Sequence, residues 1–163
     1  MILLGIDPGS RATGYGVIRL QGNHLRHIAH GAIRTNDKDT FPQRLHVLNK
    51  GLQAVIREYQ PQSACIENLF LSQNPQSALK LGHARGVLIL TCLQEGVEVV
   101  ELSALQIKQS VTGYGKAPKE QVGKMVTMLL GLSNPPTSAD AADALAGAIA
   151  LSQILQTQQR IAR

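Results

Sequence analysis

The chain has 163 residues, 44% of them hydrophobic and only 3% aromatic, and its 16 Lys+Arg against 11 Asp+Glu give a net charge of +5. That length suits one domain, residues 1–155 with a short polar, frayed tail at 156–163, and the apolar fraction can bury a core, which excludes a disordered chain. No apolar run reaches the roughly 18 to 20 residues of a membrane helix.

Residues 2–7, almost all aliphatic, predict a buried strand rather than a signal peptide, because no basic stretch accompanies them. Pro8-Gly9-Ser10 turns the chain into a second strand over 13–20, in which Gly14 and Gly16 allow close backbone approach. Gln21-Gly22-Asn23 is a hairpin signal, and a third strand follows over 25–35. Leu45, Leu48, Leu52, Val55 and Ile56 have helical spacing within 40–59, and Pro61 follows them. A short buried strand over 63–68 carries Cys65 and Glu67. Asn74-Pro75 then caps and starts a helix reaching Gln94. Residues 97–101 form a fifth strand, Ser103 caps a short helix, and Gly113-Tyr114-Gly115 is a loop. Further helices are predicted over 119–130 and, after Asn134-Pro135-Pro136, over 138–155. Three antiparallel strands followed by alternating helices and strands give an α/β fold with one five-stranded mixed sheet.

Cys65 and Cys92 are far apart inside apolar runs, which reads as two buried free thiols in a reducing cytoplasm, not as a disulfide or zinc site. The charges are unevenly spread. Residues 68–94 contain no acid, only Lys80 and Arg85, and residues 102–139 hold Lys108, Lys116, Lys119 and Lys124 against Glu120 alone. Together these predict a basic face suited to a polyanion.

Three acids, Asp7, Glu67 and Asp143, lie among apolar or small residues, where a lone carboxylate is costly to bury. Asp7 ends a strand before a glycine turn, a usual place for a functional group, though a turn-capping role is open to it. Glu67 also ends a strand and could simply meet solvent. Asp140 and Asp143, spaced i, i+3, share one helix face among alanines. The helix dipole accounts for an acid in the first turn, which suits Asp140 better than Asp143. Were the first and fourth strands neighbours under the last helix, the four carboxylates would converge and need a cation. Oxygen ligands favour Mg²⁺ or Mn²⁺, and two such ions can drive phosphodiester hydrolysis. The helix after Pro75 carries Ala78, Gly82 and Gly86 at every fourth position, a stripe for close packing against either its own sheet or a second subunit.

These residues, in this order, resemble the RuvC family of bacterial Holliday-junction resolvases over about 2–152. The resemblance rests on Gly5-Ile6-Asp7-Pro8-Gly9-Ser10 with Gly14-Tyr15-Gly16, Ile66-Glu67 followed by Phe70, Asn74, and the run Ser77 to Gly86. Gln106-Ile107-Lys108-Gln109 and the run Ala139 to Ala146 complete it. It implies an RNase H-like fold with helices on both sheet faces and a cytoplasmic enzyme of DNA recombination and repair. Such an enzyme is a homodimer, here through the Pro75–Gln94 helix, that cuts four-way junction DNA with Mg²⁺ (two ions per subunit, Mn²⁺ able to substitute) alongside a RuvA–RuvB branch-migration complex. Carried over residue by residue, the catalytic and metal-binding acids are Asp7, Glu67, Asp140 and Asp143, the catalytic lysines Lys108 and Lys119, and the junction-wedging aromatic Phe70. Tyr114, Lys80, Arg85 and Lys116 complete the expected DNA contacts. Two positions depart from the family pattern: Asn68 stands where Gln is expected, and Tyr114 where a small or aliphatic residue is expected. A sugar-kinase-like ATPase shares the Asp7 opening but needs a second phosphate loop. A non-catalytic junction-binding scaffold would tolerate loss of some acids, and another RNase H-like nuclease would lack the Ser77 to Gly86 run.

Overall fold

A computed structural model describes residues 1–68 and 74–161. Five strands, β1 (Ile2–Asp7), β2 (Ala12–Gln21), β3 (His24–Arg34), β4 (Ser63–Glu67) and β5 (Glu98–Leu102), form one sheet in the order β3-β2-β1-β4-β5. The first three pair antiparallel, β1 with β2 across the turn after Asp7 and β2 with β3 through the tight turn at Gly22, whose φ is 59°. β4 runs parallel to β1, and β5 parallel to β4. This is the expected mixed sheet.

Helices cover both faces. On one lie α1 (Phe41–Tyr59) and α2 (Pro75–Gln94), whose Leu48, Leu52, Ala84 and Leu88 pack on Leu4, Ile6, Val17 and Ile66. On the other lie α3 (Ala104–Thr112), α4 (Lys119–Leu129) and α5 (Ala139–Ile161), with Ile107, Val126, Leu145 and Ile149 on Leu3, Ile18 and Cys65. Alternate strand residues therefore feed opposite cores, as the period of two requires. Caps set the helix starts. The Asn74 side chain accepts from the amides of Gln76 and Ser77, and Thr40 with Gln43 and Ser103 with Gln106 form capping boxes.

The last helix does not stop at 155 with a frayed tail. It continues to Ile161, and Gln156 Nε2 donates to the carbonyl of Gly22 at 2.9 Å, tying the added turn to the β2–β3 hairpin. The polar composition of 156–161 marks an exposed helical face, not an end of structure.

What positions the site is how close α5 comes to the sheet. A Cβ on Gly5 would stand 1.8 Å from the carbonyl oxygen of Ala144, and one on Gly14 2.1 Å from that of Asp140. Only glycine allows the backbone of α5 to lie directly on β1 and β2 there. Ala141, Ala144 and Ala148 complete the contact from the helix side, all buried.

Candidate active site

β1 and β4 deliver the first two acids. Their parallel register runs to the pair Ile6–Ile66, so Asp7 and Glu67 come next on adjacent strands. Both share the parity of Leu3 and Cys65, which face α5, so both carboxyls project to that side. α5 brings the other two. Its first turn is fixed by the Ala141 amide donating to Ser138 Oγ and the Ala142 amide donating to the Ser138 carbonyl. That places Asp140 over Gly14 and Asp143 one turn further in. The result is a cavity of about 210 Å³ lined by Asp7, Glu67, Asp140, Asp143, Lys108 and Lys119, with apolar Ile107, Val122 and Ala146 between them.

The charges act on each other as convergence demands. Burial, then Asp143, Glu67 and Asp140, push the Asp7 carboxyl from its ordinary 3.8 up to about 7, while Lys119 opposes the shift. Burial and Asp143 push Glu67 up as well, against Lys119 and Lys108. Lys119 Nζ donates to Asp143 Oδ2 at 2.9 Å, and this bond raises the lysine above its usual range. An ammonium group thus supplies part of the missing positive charge. Cys65, in the strand position two before Glu67, is fully buried, and burial drives its thiol up to about 12, so it offers no thiolate. The donor set at the cavity is therefore all oxygen and suits a hard divalent cation. Among the described residues no three Asp, Glu, His or Cys side chains stand as a ready-made metal cluster. The fit lies in donor chemistry and in unrelieved negative charge, with Lys119 standing against Asp143.

The remaining sequence-predicted residues fall elsewhere. Tyr114 is exposed in the loop between α3 and α4, and Lys116 is exposed two residues on. Neither lines the acidic cavity. Lys80 lies on the opposite side of the sheet, in a basic pocket with Ser10, Arg11, Arg44 and Ser77. Phe70 lies outside the described residues. Arg85 does not stand free for DNA. Its side chain is 16% exposed, Nε donates to the Glu67 carbonyl at 2.9 Å, Nη2 donates to Asn68 Oδ1 at 2.8 Å, and it forms an ion pair with Glu101. Arg11 and Arg44 escaped the sequence reading because they are far apart in the chain and only the turn after β1 brings them together. The partners of Arg85 were equally invisible, since nothing local links Arg85 to Glu67.

Comparison with known proteins agrees with this geometry. The family model described as crossover junction endodeoxyribonuclease RuvC matches residues 3–151. The crossover junction endodeoxyribonuclease RuvC of Pelobacter propionicus is 53% identical over 91% of this chain and 84% of its own length. That of Dechloromonas aromatica is 52% identical over 91% and 82%. Among solved structures, Thermus thermophilus RuvC in complex with a Holliday junction substrate superposes with a TM-score of 0.92 at 29% identity, covering 97% of this chain and 96% of that one. Yeast mitochondrial Ydc2, a Holliday junction resolvase, shares the fold with a TM-score of 0.70 at 15% identity over 98% and 80%. With a match spanning nearly the whole chain and acids gathered where the sheet and α5 meet, the chain belongs to the RuvC family of crossover junction endodeoxyribonucleases, the resolvases of Holliday junctions.

Proposed function

We propose that this resolvase cuts four-way DNA by metal-assisted hydrolysis in the cavity of Asp7, Glu67, Asp140 and Asp143. The observation that carries the proposal is the convergence of four carboxylates and two lysines from β1, β4, α3, α4 and α5 on one opening. Asp7, Glu67, Asp140 and Asp143 would hold Mg²⁺, or Mn²⁺ in its place. When held there, such a cation would supply charge neutralisation at the phosphate and a more acidic water. The carboxylates orient what they hold, and apolar Ile107 and Val122 line the cavity between them. Lys108 and Lys119 place ammonium groups on the same cavity, where they stabilise the negative charge that grows on the phosphate oxygens. Hydrolysis breaks the P–O3′ bond and leaves 5′-phosphate and 3′-hydroxyl ends.

Resolution needs two symmetric cuts, and a two-fold dimer supplies two related sites. The α2 surface supports a dimer through Pro75–Gln94. Among the described residues nothing lies within 4 Å of where a Cβ on Gly82 or Gly86 would stand, which supports a packing partner outside the subunit for this stripe. Leu79, Leu90 and Leu93 on the same helix are 65%, 55% and 57% exposed. Such a helix face is unusual on a free surface. A branch-migration complex of the RuvA–RuvB kind is the partner that a junction resolvase of this family would meet.

A synthetic four-way junction incubated with Mg²⁺ or with EDTA tests the reading. Paired symmetric nicks with ligatable ends, seen only with metal, are expected. Binding without nicking would indicate a scaffold instead, and nucleotide hydrolysis without nicking an ATPase.

A further inference from the structure

We infer that Arg85 is a positioning residue for Glu67, holding the end of β4 from the face of the sheet opposite the acidic cavity. The inference rests on the resolvase reading. Glu67 is the last residue of β4, and beyond it the chain leaves the sheet. Its carboxylate can reach the cavity only if that backbone end stays in place. The sheet supplies one hold, Glu67 pairing with Leu102 of β5 and the Asn68 amide donating to the carbonyl of Leu102 at 2.8 Å. The others come from Arg85, on α2. One edge of its guanidinium takes both the Glu67 carbonyl, through Nε at 2.9 Å, and the Asn68 side chain, through Nη2 at 2.8 Å. Glu101, on β5, pairs with the same Nη2 and fixes the plane of the fork. Three elements, α2, β4 and β5, thus meet on one cation at the residue that carries a catalytic carboxylate.

The chemistry selects arginine. Two acceptors on consecutive residues are met by one planar edge, a geometry that a lysine ammonium on a flexible stem cannot reproduce. The short Asn68 side chain meets the fork directly through its amide oxygen. With that edge engaged and the side chain 16% exposed, Arg85 is poorly placed for a phosphate. Its helix neighbour Gly86 lies on the open α2 face, so the clamp also links the proposed dimer helix to the site.

The test compares wild type, Arg85→Lys, Arg85→Ala and Glu101→Gln. Four quantities are measured: junction affinity in EDTA across a salt series, Mg²⁺ affinity of the DNA-free protein by calorimetry, and kcat and KM for nicking. Arg85→Ala is expected to weaken Mg²⁺ binding about 10- to 100-fold, as loss of a group orienting a metal ligand typically does. Its kcat should fall with KM nearly unchanged, and its junction affinity and salt slope should stay as in wild type. Arg85→Lys should recover only part of the loss, and Glu101→Gln should fall between it and wild type. If Arg85→Ala fails to fold, Arg85→Lys and Glu101→Gln still carry the comparison. Wild-type Mg²⁺ affinity and kcat in the variants that fold would overturn the proposal. So would lost junction affinity with a salt slope shallower by about one, which would make Arg85 a phosphate contact. Should wild type itself not nick junctions, the resolvase reading fails, while the Mg²⁺ titrations still decide whether Arg85 positions Glu67.

Discussion

Asp7 bears the tension of the site in a single residue. Its carboxyl is raised to about 7 by burial and by three neighbouring acids. The sign of the consequence follows from linkage. A folded pKa above the unfolded one means that the folded state binds the proton more tightly, so the stabilisation is present in full below about 3.8 and is lost as pH rises through about 7. In EDTA, wild type should therefore lose stability between pH 4 and pH 7. Asp7→Asn should remove the part of that loss due to Asp7, leaving the part due to the raised Glu67, and be more stable than wild type at pH 8, by no more than about 4 kcal/mol, the ceiling set by the pKa displacement. Nicking by the variant should be abolished. Urea unfolding at pH 5 and pH 8 checks this, and a variant less stable than wild type at pH 8 would show that its neighbours do not repel Asp7. Asp7, Glu67 and Asp143 were legible in the sequence because they lie among apolar or small residues, whereas Asp140, in a first helical turn where the dipole favours an acid, was marked by its i, i+3 spacing from Asp143 and by the family resemblance. The part of Arg85 was not legible. Its charge looked like the rest of a basic stretch, and only the fold shows its fork closed on Glu67, Asn68 and Glu101.

Elements differ in what their glycines do, and that difference is measurable. The sequence placed every strand and helix start within about two residues, because aliphatic runs, caps and hairpin turns are local signals. It also marked Gly14 and Gly16 as sites of close approach, and the structure supplies the reason, α5 lying on the sheet. The one misplaced end, that of α5, was misread because exposed polar helix and frayed tail have the same composition. For the stripe on α2 the sequence left two packing partners open, and among the described residues nothing lies within 4 Å of a Cβ placed on Gly82 or Gly86. Gly14→Ala should cost about 1 to 3 kcal/mol, since the new methyl meets the Asp140 carbonyl and backbone must shift. It should also weaken metal binding, because the first turn of α5 carries Asp140. Gly86→Ala should instead stabilise the subunit by up to about 1 kcal/mol, the helix propensity gained without a clash. Gly86→Arg should leave the subunit folded and shift sedimentation to the monomer mass. Equal effects of alanine at positions 14 and 86 would contradict the packing described.

Across the whole molecule, charge is partitioned rather than balanced. Of the eleven acids four line one cavity together with Lys108 and Lys119, so fourteen Lys and Arg residues stand against seven acids elsewhere. The sequence suggested a basic face in the second half of the chain, and Lys108 and Lys119 do reach the cavity. A second concentration lies on the other side of the sheet, built from parts the sequence keeps apart. Arg44, only 11% exposed, donates to the Ser10 carbonyl at 2.6 Å and to Thr35 Oγ1 at 3.1 Å, which stiffens the turn just after Asp7. Arg11 and Lys80 flank it over a pocket lined with no acid, although Asp37 pairs with Arg11 at 3.2 Å nearby. A duplex arm leaving the cavity around the β1–β2 turn would meet this pocket with its phosphates. Each phosphate neutralised contributes about 0.9 to the slope of log affinity against log salt. Arg11→Ala and Lys80→Ala should each weaken junction binding and make that slope shallower by about one, and the pair should act nearly additively. Because neither residue lines the acidic cavity, kcat at saturating junction and Mg²⁺ affinity should stay at wild-type values. A salt series on the two single variants and the double variant decides the matter. An unchanged slope would place the DNA on the cavity side alone, whereas a fall in kcat without a change in slope would mean that the pocket shapes the turn carrying Asp7 and holds no phosphate.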